Sequence, residues 1–127
     1  MNAITLPARR QPARDAAAEA AVLATATQRA ATLLGLPVKV HAEQLSNSGA
    51  TKLAVEMDAA SADHLEFIDD ATIAALKKSR TIPVLLPGCT FFLHSAAAPA
   101  RKLIDAGLPV ALATDCNPGS AMIESLP

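Results

Sequence analysis

Aromatic residues are nearly absent from this chain, which has three Phe, no Tyr and no Trp in 127 residues. That leaves almost no platform on which nucleobases could stack. Charge of one sign is missing as well: 11 basic and 12 acidic side chains give a net charge of −1. With no basic block, neither nucleic acid nor an anionic membrane finds an electrostatic grip. No apolar run approaches the roughly 20 residues needed to cross a bilayer. Two cysteines, Cys89 and Cys116, are too few for a disulfide scaffold. They fit a reduced, cytoplasmic chain and read as small, inert side chains. The length, 127 residues, supports one globular unit.

What the chain has is alanine, the main source of its 51% apolar content. Alanine suits helices but buries little area per residue. A core built from it is thin, so stability must come from large packed interfaces, within the chain or with something outside it.

Residues 1–14 carry Pro7, Pro12, Arg9, Arg10 and Arg14 without an acid or an apolar period, and read as an unstructured lead-in. The remaining 15–127 form the domain. Helical spacing of Val22, Leu23, Ala26, Ala30, Leu33 and Leu34 predicts a helix over 15–34, closed by Gly35. This alanine-rich stretch reads as packing surface. A β-prone run from Leu36 ends at His41. Ser46 to Met57 reads as a helix with Ser/Asn caps, and Ala59–Asp63 as a strand running into His64. Asp69 caps a third helix that carries Ile73 and Leu76. Thr81–Leu86 is a strand stopped by Pro87-Gly88, although Pro83 is awkward inside it. A helix from Pro99 to Ala106 closes at Gly107, and Leu108–Thr114 reads as the clearest strand, followed by a loop over Asp115–Gly119. Helix and strand thus alternate at a period of about 20–30 residues, which implies crossover units and a parallel sheet.

The reactive side chains fall at one kind of place. His41 ends the first strand, His64 follows the second and Asp115 ends the fourth. In parallel α/β folds the carboxyl ends of the strands converge on one face, where ligands bind. Neutral imidazole and carboxylate suit zinc or ferrous iron, and a catalytic site holds about three protein ligands with a position left for water. A metal there acidifies water enough to supply a nucleophile near neutral pH. Each histidine taken alone is as well explained as a structural residue; the register of all three with strand ends favours a site. Glu43 and Glu66 read as solvated or supporting acids, and His94 as surface or rim.

Four strings carry a resemblance: VKVHAEQLSNSGA (38–50), SADHLEFIDD (61–70), VLLPG (84–88) and ALATDCNPGS (111–120). In unbroken order over Leu36–Pro127, they resemble imidazolonepropionase of the metal-dependent amidohydrolase superfamily. The resemblance implies an α/β fold, a partial TIM-type β/α barrel of about four units corresponding to strands five to eight. It implies hydrolysis of the ring amide of 4-imidazolone-5-propanoate to N-formimidoyl-L-glutamate in histidine degradation, with one divalent zinc or iron. His41 and Asp115 are then metal ligands, and Asp115 can also take a proton. His64 is proton shuttle and carbonyl polariser. Gln44, Asn117, Gly119 and Ser120 contact the small-molecule substrate.

A complete barrel needs about 200–250 residues. The chain has no His-x-His pair, which the superfamily uses as two further ligands. The expectation is therefore a C-terminal half-barrel, inactive alone, whose open edges lead to self-association or pairing with an N-terminal half. Two other functions fit the pattern less well: another cyclic amidohydrolase or deaminase, and a non-catalytic α/β domain that binds a partner through its apolar edges.

Overall fold

The computed structural model describes residues 16–126. The lead-in expected over 1–14 lies outside them, as do Asp15, where the first helix was expected to begin, and Pro127. Helix α1 spans Ala16–Leu34. Gly35, at φ +64°, takes the left-handed turn that ends it. There follow β1 (Lys39–Ala42), α2 (Ala50–Glu56), β2 (Ser61–His64), α3 (Asp70–Leu76), β3 (Ile82–Leu85), α4 (Pro87–Phe92), α5 (Ala100–Asp105) and β4 (Ala111–Leu112). Among the described residues the strands form one parallel sheet in the order β1-β2-β3-β4. Each strand returns to the next through helix, the repeating step of a β/α barrel taken part of the way round.

Strand register sorts the side chains onto two faces. Val40, Ala62 and Pro83 are in register on one face, with Ala42 and Leu85 next along it. These apolar residues meet the helices in a core that includes Ala54, Ile73, Leu76 and Leu103. The opposite face carries Lys39, Ser61 and Ile82, then His41, Asp63, Val84 and Ala111. Much of the core is alanine, as the composition predicted, and among the described residues few large side chains are fully buried, Leu65, Leu76 and Leu103 being the largest.

The structure departs from two of these expectations and adds to two others. Helix α2 begins at Ala50 instead of Ser46, with Gly49 at its N-cap and φ +81°. Of the side chains expected to cap it, Asn47 donates to Asp69 Oδ2 at 2.9 Å, whereas Ser48 Oγ accepts the Ala50 N–H at 3.4 Å and lies 3.4 Å from Glu43 Oε1. Pro87 stops β3 but also starts α4, since a proline at the first helical position gives up an N–H that the helix would leave unpaired. The strand expected over Leu108–Thr114 is paired only at Ala111–Leu112. Pro83 explains the short ladder. Ile82 N–H bonds Ala60 O on the β2 side at 3.1 Å, so by alternation Pro83 faces β4, where it has no N–H to offer. Pairing accordingly begins one residue later, at Val84 with Ala111. Finally, the apolar side chains expected to make α1 a packing surface are largely exposed here: Val22 and Leu23 at 68%, Leu33 at 87%.

The cap expected at Asp69 forms, its carboxylate accepting the Thr72 N–H at 2.7 Å. Gly107, at φ +81°, follows α5 as expected.

Candidate active site

His41 is the third residue of β1 and His64 the last of β2. Since His64 is in register with Ala42, alternation alone would send its side chain toward the helices. Two successive left-handed residues, His64 at φ +87° and Leu65 at φ +71°, turn the chain here. Non-glycine residues in that region cost about 1–3 kcal/mol each and persist where their surroundings fix them. The fixing contacts are Leu65 N to Ala42 O at 3.0 Å, Phe67 N to Glu43 O at 3.0 Å, and complete burial of Leu65. The result is an imidazole pair, with His64 Nε2 3.1 Å from His41 Nδ1 and ring centroids 4.8 Å apart. One of these nitrogens carries the hydrogen that the other accepts. His64 is fully buried, whereas His41 is exposed at the rim.

Behind His64 stands Glu66, its Oε1 3.7 Å from His64 Nδ1 and 3.1 Å from Thr90 Oγ1. Glu43, two residues beyond His41, accepts the Thr51 N–H at 3.0 Å and a hydroxyl hydrogen bond from Thr51. Both acids are buried. The solvated reading of them is thus corrected: Glu43 anchors the first turn of α2, and Glu66, hydrogen-bonded to Thr90, lies behind His64.

Asp115 follows β4 at φ +51°. Ser120 Oγ lies 2.8 Å from its Oδ2, and Asn117 Nδ2 donates to its Oδ1 at 3.1 Å. Asn117 also accepts the Gly119 N–H at 2.9 Å, so these three predicted substrate contacts shape one tight turn around the aspartate. Burial is the strongest single influence on Asp115 and raises its pKa. Hydrogen bonds from Ser120 and Cys89 and the attraction of His64 and His41 outweigh it, holding the carboxyl below its ordinary value.

A cysteine that sequence reasoning set aside joins the cluster. Cys89 lies in α4, four residues past the end of β3, and is 1% exposed. Donor atoms of His64, Cys89 and Asp115 lie within 4.8 Å of one another. Gln44 Nε2 is 3.7 Å from Cys89 Sγ. Burial first, then hydrogen bonding with Asp115, pushes the thiol pKa up. Its position just after a strand end, the same signal that pointed to His41, His64 and Asp115, was sufficient to find it. The acids and Thr90 gave no such signal, because their role comes from contacts between elements.

The donor set fits a divalent ion. Bonds of about 2.0–2.3 Å around a tetrahedral zinc put ligand atoms roughly 3.3–3.8 Å apart, a modest contraction from the separations here. A separate cavity of about 590 Å³ lies against Leu85, Phe91, His94, Ala98 and Leu112. It is apolar, and His94, which lines it, is exposed as the surface reading expected.

A parallel β/α sheet with imidazoles and a carboxylate gathered beyond its strand ends defines the class: a partial barrel of the amidohydrolase type. A solved structure agrees in fold, an adenosine deaminase from Xanthomonas campestris with bound zinc. It is 20% identical at a TM-score of 0.56, over 73% of this chain and 25% of that one. No family model matches the chain. By sequence, the stretch is that of an imidazolonepropionase homologue. It is 55% identical over 98 residues to the imidazolonepropionase of Burkholderia orbicola (strain MC0-3), matching 76% of this chain and 24% of that protein. To the imidazolonepropionase of Paraburkholderia phymatum it is 52% identical over 99 residues, 77% of this chain and 24% of that protein. The chain therefore spans about a quarter of the length of the curated relatives it matches.

Proposed function

We propose that this chain carries part of an imidazolonepropionase active site, acting in histidine degradation in the cytoplasm. The reaction is metal-dependent hydrolysis of the ring amide of 4-imidazolone-5-propanoate to N-formimidoyl-L-glutamate. The observation that carries the reading is the 3.1 Å approach of His64 to His41 beside Asp115, in a chain otherwise dominated by alanine. A divalent ion, zinc or iron, supplies Lewis-acid activation of water and of the ring carbonyl when bound. His41 and Asp115 would hold it.

His64 then receives and returns a proton at its ring nitrogen, with the Glu66 carboxylate 3.7 Å behind Nδ1. Asp115, kept ionised by Ser120, Cys89 and the two imidazoles, is the second proton acceptor. Gln44 would contact the ring of the substrate. Asn117, Gly119 and Ser120 would present the loop to its carboxylate, once their hydrogen bonds to Asp115 and to one another are shared or exchanged. The carboxyl ends of β1 to β4 supply only part of a catalytic rim, so the chain alone is inactive. It works with the remaining β/α units or associates with itself through the edges at β1 and β4.

Complementation tests this. The Burkholderia orbicola imidazolonepropionase, deleted of the quarter that this chain matches, is mixed with the chain, a metal salt and imidazolone propionate. Release of N-formimidoyl-glutamate by the mixture, absent from either piece alone and lost with His64→Ala, is the expected result. No turnover in the mixture under conditions where the two pieces co-purify would overturn the proposal.

A further inference from the structure

The hydrolase reading uses Cys89 only as a hydrogen-bond partner of Asp115, yet its surroundings are those of a ligand. The thiol is free and 1% exposed. It lies with one imidazole and one carboxylate in a set whose donor atoms are all within 4.8 Å. Each of the three comes from the end of a different β/α unit: His64 closes β2, Cys89 lies in the first turn of α4 after β3, and Asp115 in the turn after β4. His64 is fully buried, and its Nδ1 makes no hydrogen bond. A packing role for Cys89 would explain its burial but not its convergence with two other donors in the barrel mouth.

We propose that in this chain by itself His64, Cys89 and Asp115 form a thiolate-containing zinc site, a ligand set that shares only Asp115 with the His41 and Asp115 pair of the hydrolase reading. Thiolate is a soft donor and favours zinc over harder divalent ions; one sulfur, one nitrogen and one oxygen leave a fourth tetrahedral position for water. Binding forms a zinc–sulfur bond and releases the thiol proton to solvent, and no group changes oxidation state. The three side chains must close up by about 1 Å to reach bonding separation. Gln44, 3.7 Å from Sγ, then supplies a hydrogen bond to the bound sulfur. The site needs none of the barrel's other ligands, so it holds metal in this chain by itself.

The experiment uses the full chain with the exposed Cys116 replaced, Cys116→Ser, so that Cys89 is the only thiol. Cobalt(II) is titrated in and followed by optical absorption, and zinc loading is followed by X-ray absorption at the zinc edge. Expected are one ion per chain, a near-ultraviolet thiolate-to-cobalt charge-transfer band, and one sulfur at about 2.3 Å from zinc. Cys89→Ser in the same background removes the band and weakens binding by more than the roughly 10–100-fold that loss of a supporting partner costs. His41→Ala leaves band and sulfur in place, whereas it abolishes turnover in the complemented enzyme, so failure of one reading is separable from failure of the other. Failure to bind the ion, bound zinc without a sulfur neighbour, or unchanged affinity in Cys89→Ser overturns the proposal. The sulfur shell is read on a chain with Cys89 intact and stands even where Cys89→Ser fails to fold.

Discussion

Glu43 offers the sharpest stability test, because its carboxylate is buried at 2% exposure with all its visible work concentrated on one helix start. It accepts the Thr51 N–H at 3.0 Å, a hydroxyl hydrogen bond from Thr51, and a longer contact from Ser48 Oγ at 3.4 Å. Thr51 is itself fully buried. Glu43→Ala leaves two buried donors without an acceptor, each costing about 1–3 kcal/mol. Relief of the carboxylate's own burial returns part of that, and a net loss of about 3 kcal/mol is expected. With a urea slope of about 2 kcal/mol per molar, the midpoint should fall by roughly 1.5 M. Far-ultraviolet circular dichroism across a urea series reads this. Glu43→Gln keeps one carbonyl acceptor and should lose only about 1 kcal/mol. In a Thr51→Val background Glu43→Ala should cost clearly less, since one donor is already gone. A Glu43→Ala midpoint within about 0.2 M of the parent would refute the view that this acid anchors α2.

Leu103 is fully buried under the sheet, and Leu103→Ala should cost about 2–5 kcal/mol by thermal or urea melting, whereas Ile104→Ala, at its exposed neighbour, should cost less than about 1 kcal/mol. Gly107→Ala meets no atom within 4 Å but sits at φ +81°, so a loss of about 1 kcal/mol is expected from backbone strain alone. The carboxyl of Asp69 has its pKa lowered from 3.8 to about 2, first by its hydrogen bonds with Thr72. Its folded value lies below its unfolded one, so the cap's stabilisation is complete above pH 3.8 and is lost as pH falls through about 2. Carboxyl NMR should give a midpoint near 2, and Asp69→Asn should flatten the stability profile in that window. The exposed Leu33, Leu34 and Phe91, together with two sheet edges, predict that light scattering on the chain alone at moderate concentration gives more than a monomer.

The sequence was most legible where one residue dictates local geometry. Asp69 capped α3 and Gly35 and Gly107 closed their helices, because caps and left-handed turns are decided within a few residues. His41, His64 and Asp115 were visible for a related reason: polar side chains that interrupt apolar strands mark strand ends. Long-range partners were illegible. The apolar run at Leu108–Thr114 could not reveal that Pro83, about 25 residues earlier, denies it a hydrogen bond. Nothing local to Glu43 or Glu66 announced that Thr51 and Thr90 would bury them. The turn at His64 and Leu65, which brings the two imidazoles together, runs against strand alternation and could be seen only in three dimensions.

If side chains from beyond β1, β2 and β4 meet as one ion-binding cluster, the chain's three histidines must respond unequally to metal, because His94 is exposed and borders a different cavity. Long-range nitrogen NMR of the imidazoles, recorded as zinc is added to one equivalent, reads this residue by residue. The His41 and His64 nitrogens should shift together, His94 should not move, and Asp115→Asn should suppress the shifts. Equal shifts at all three histidines, or movement at His94 alone, would be incompatible with a shared site.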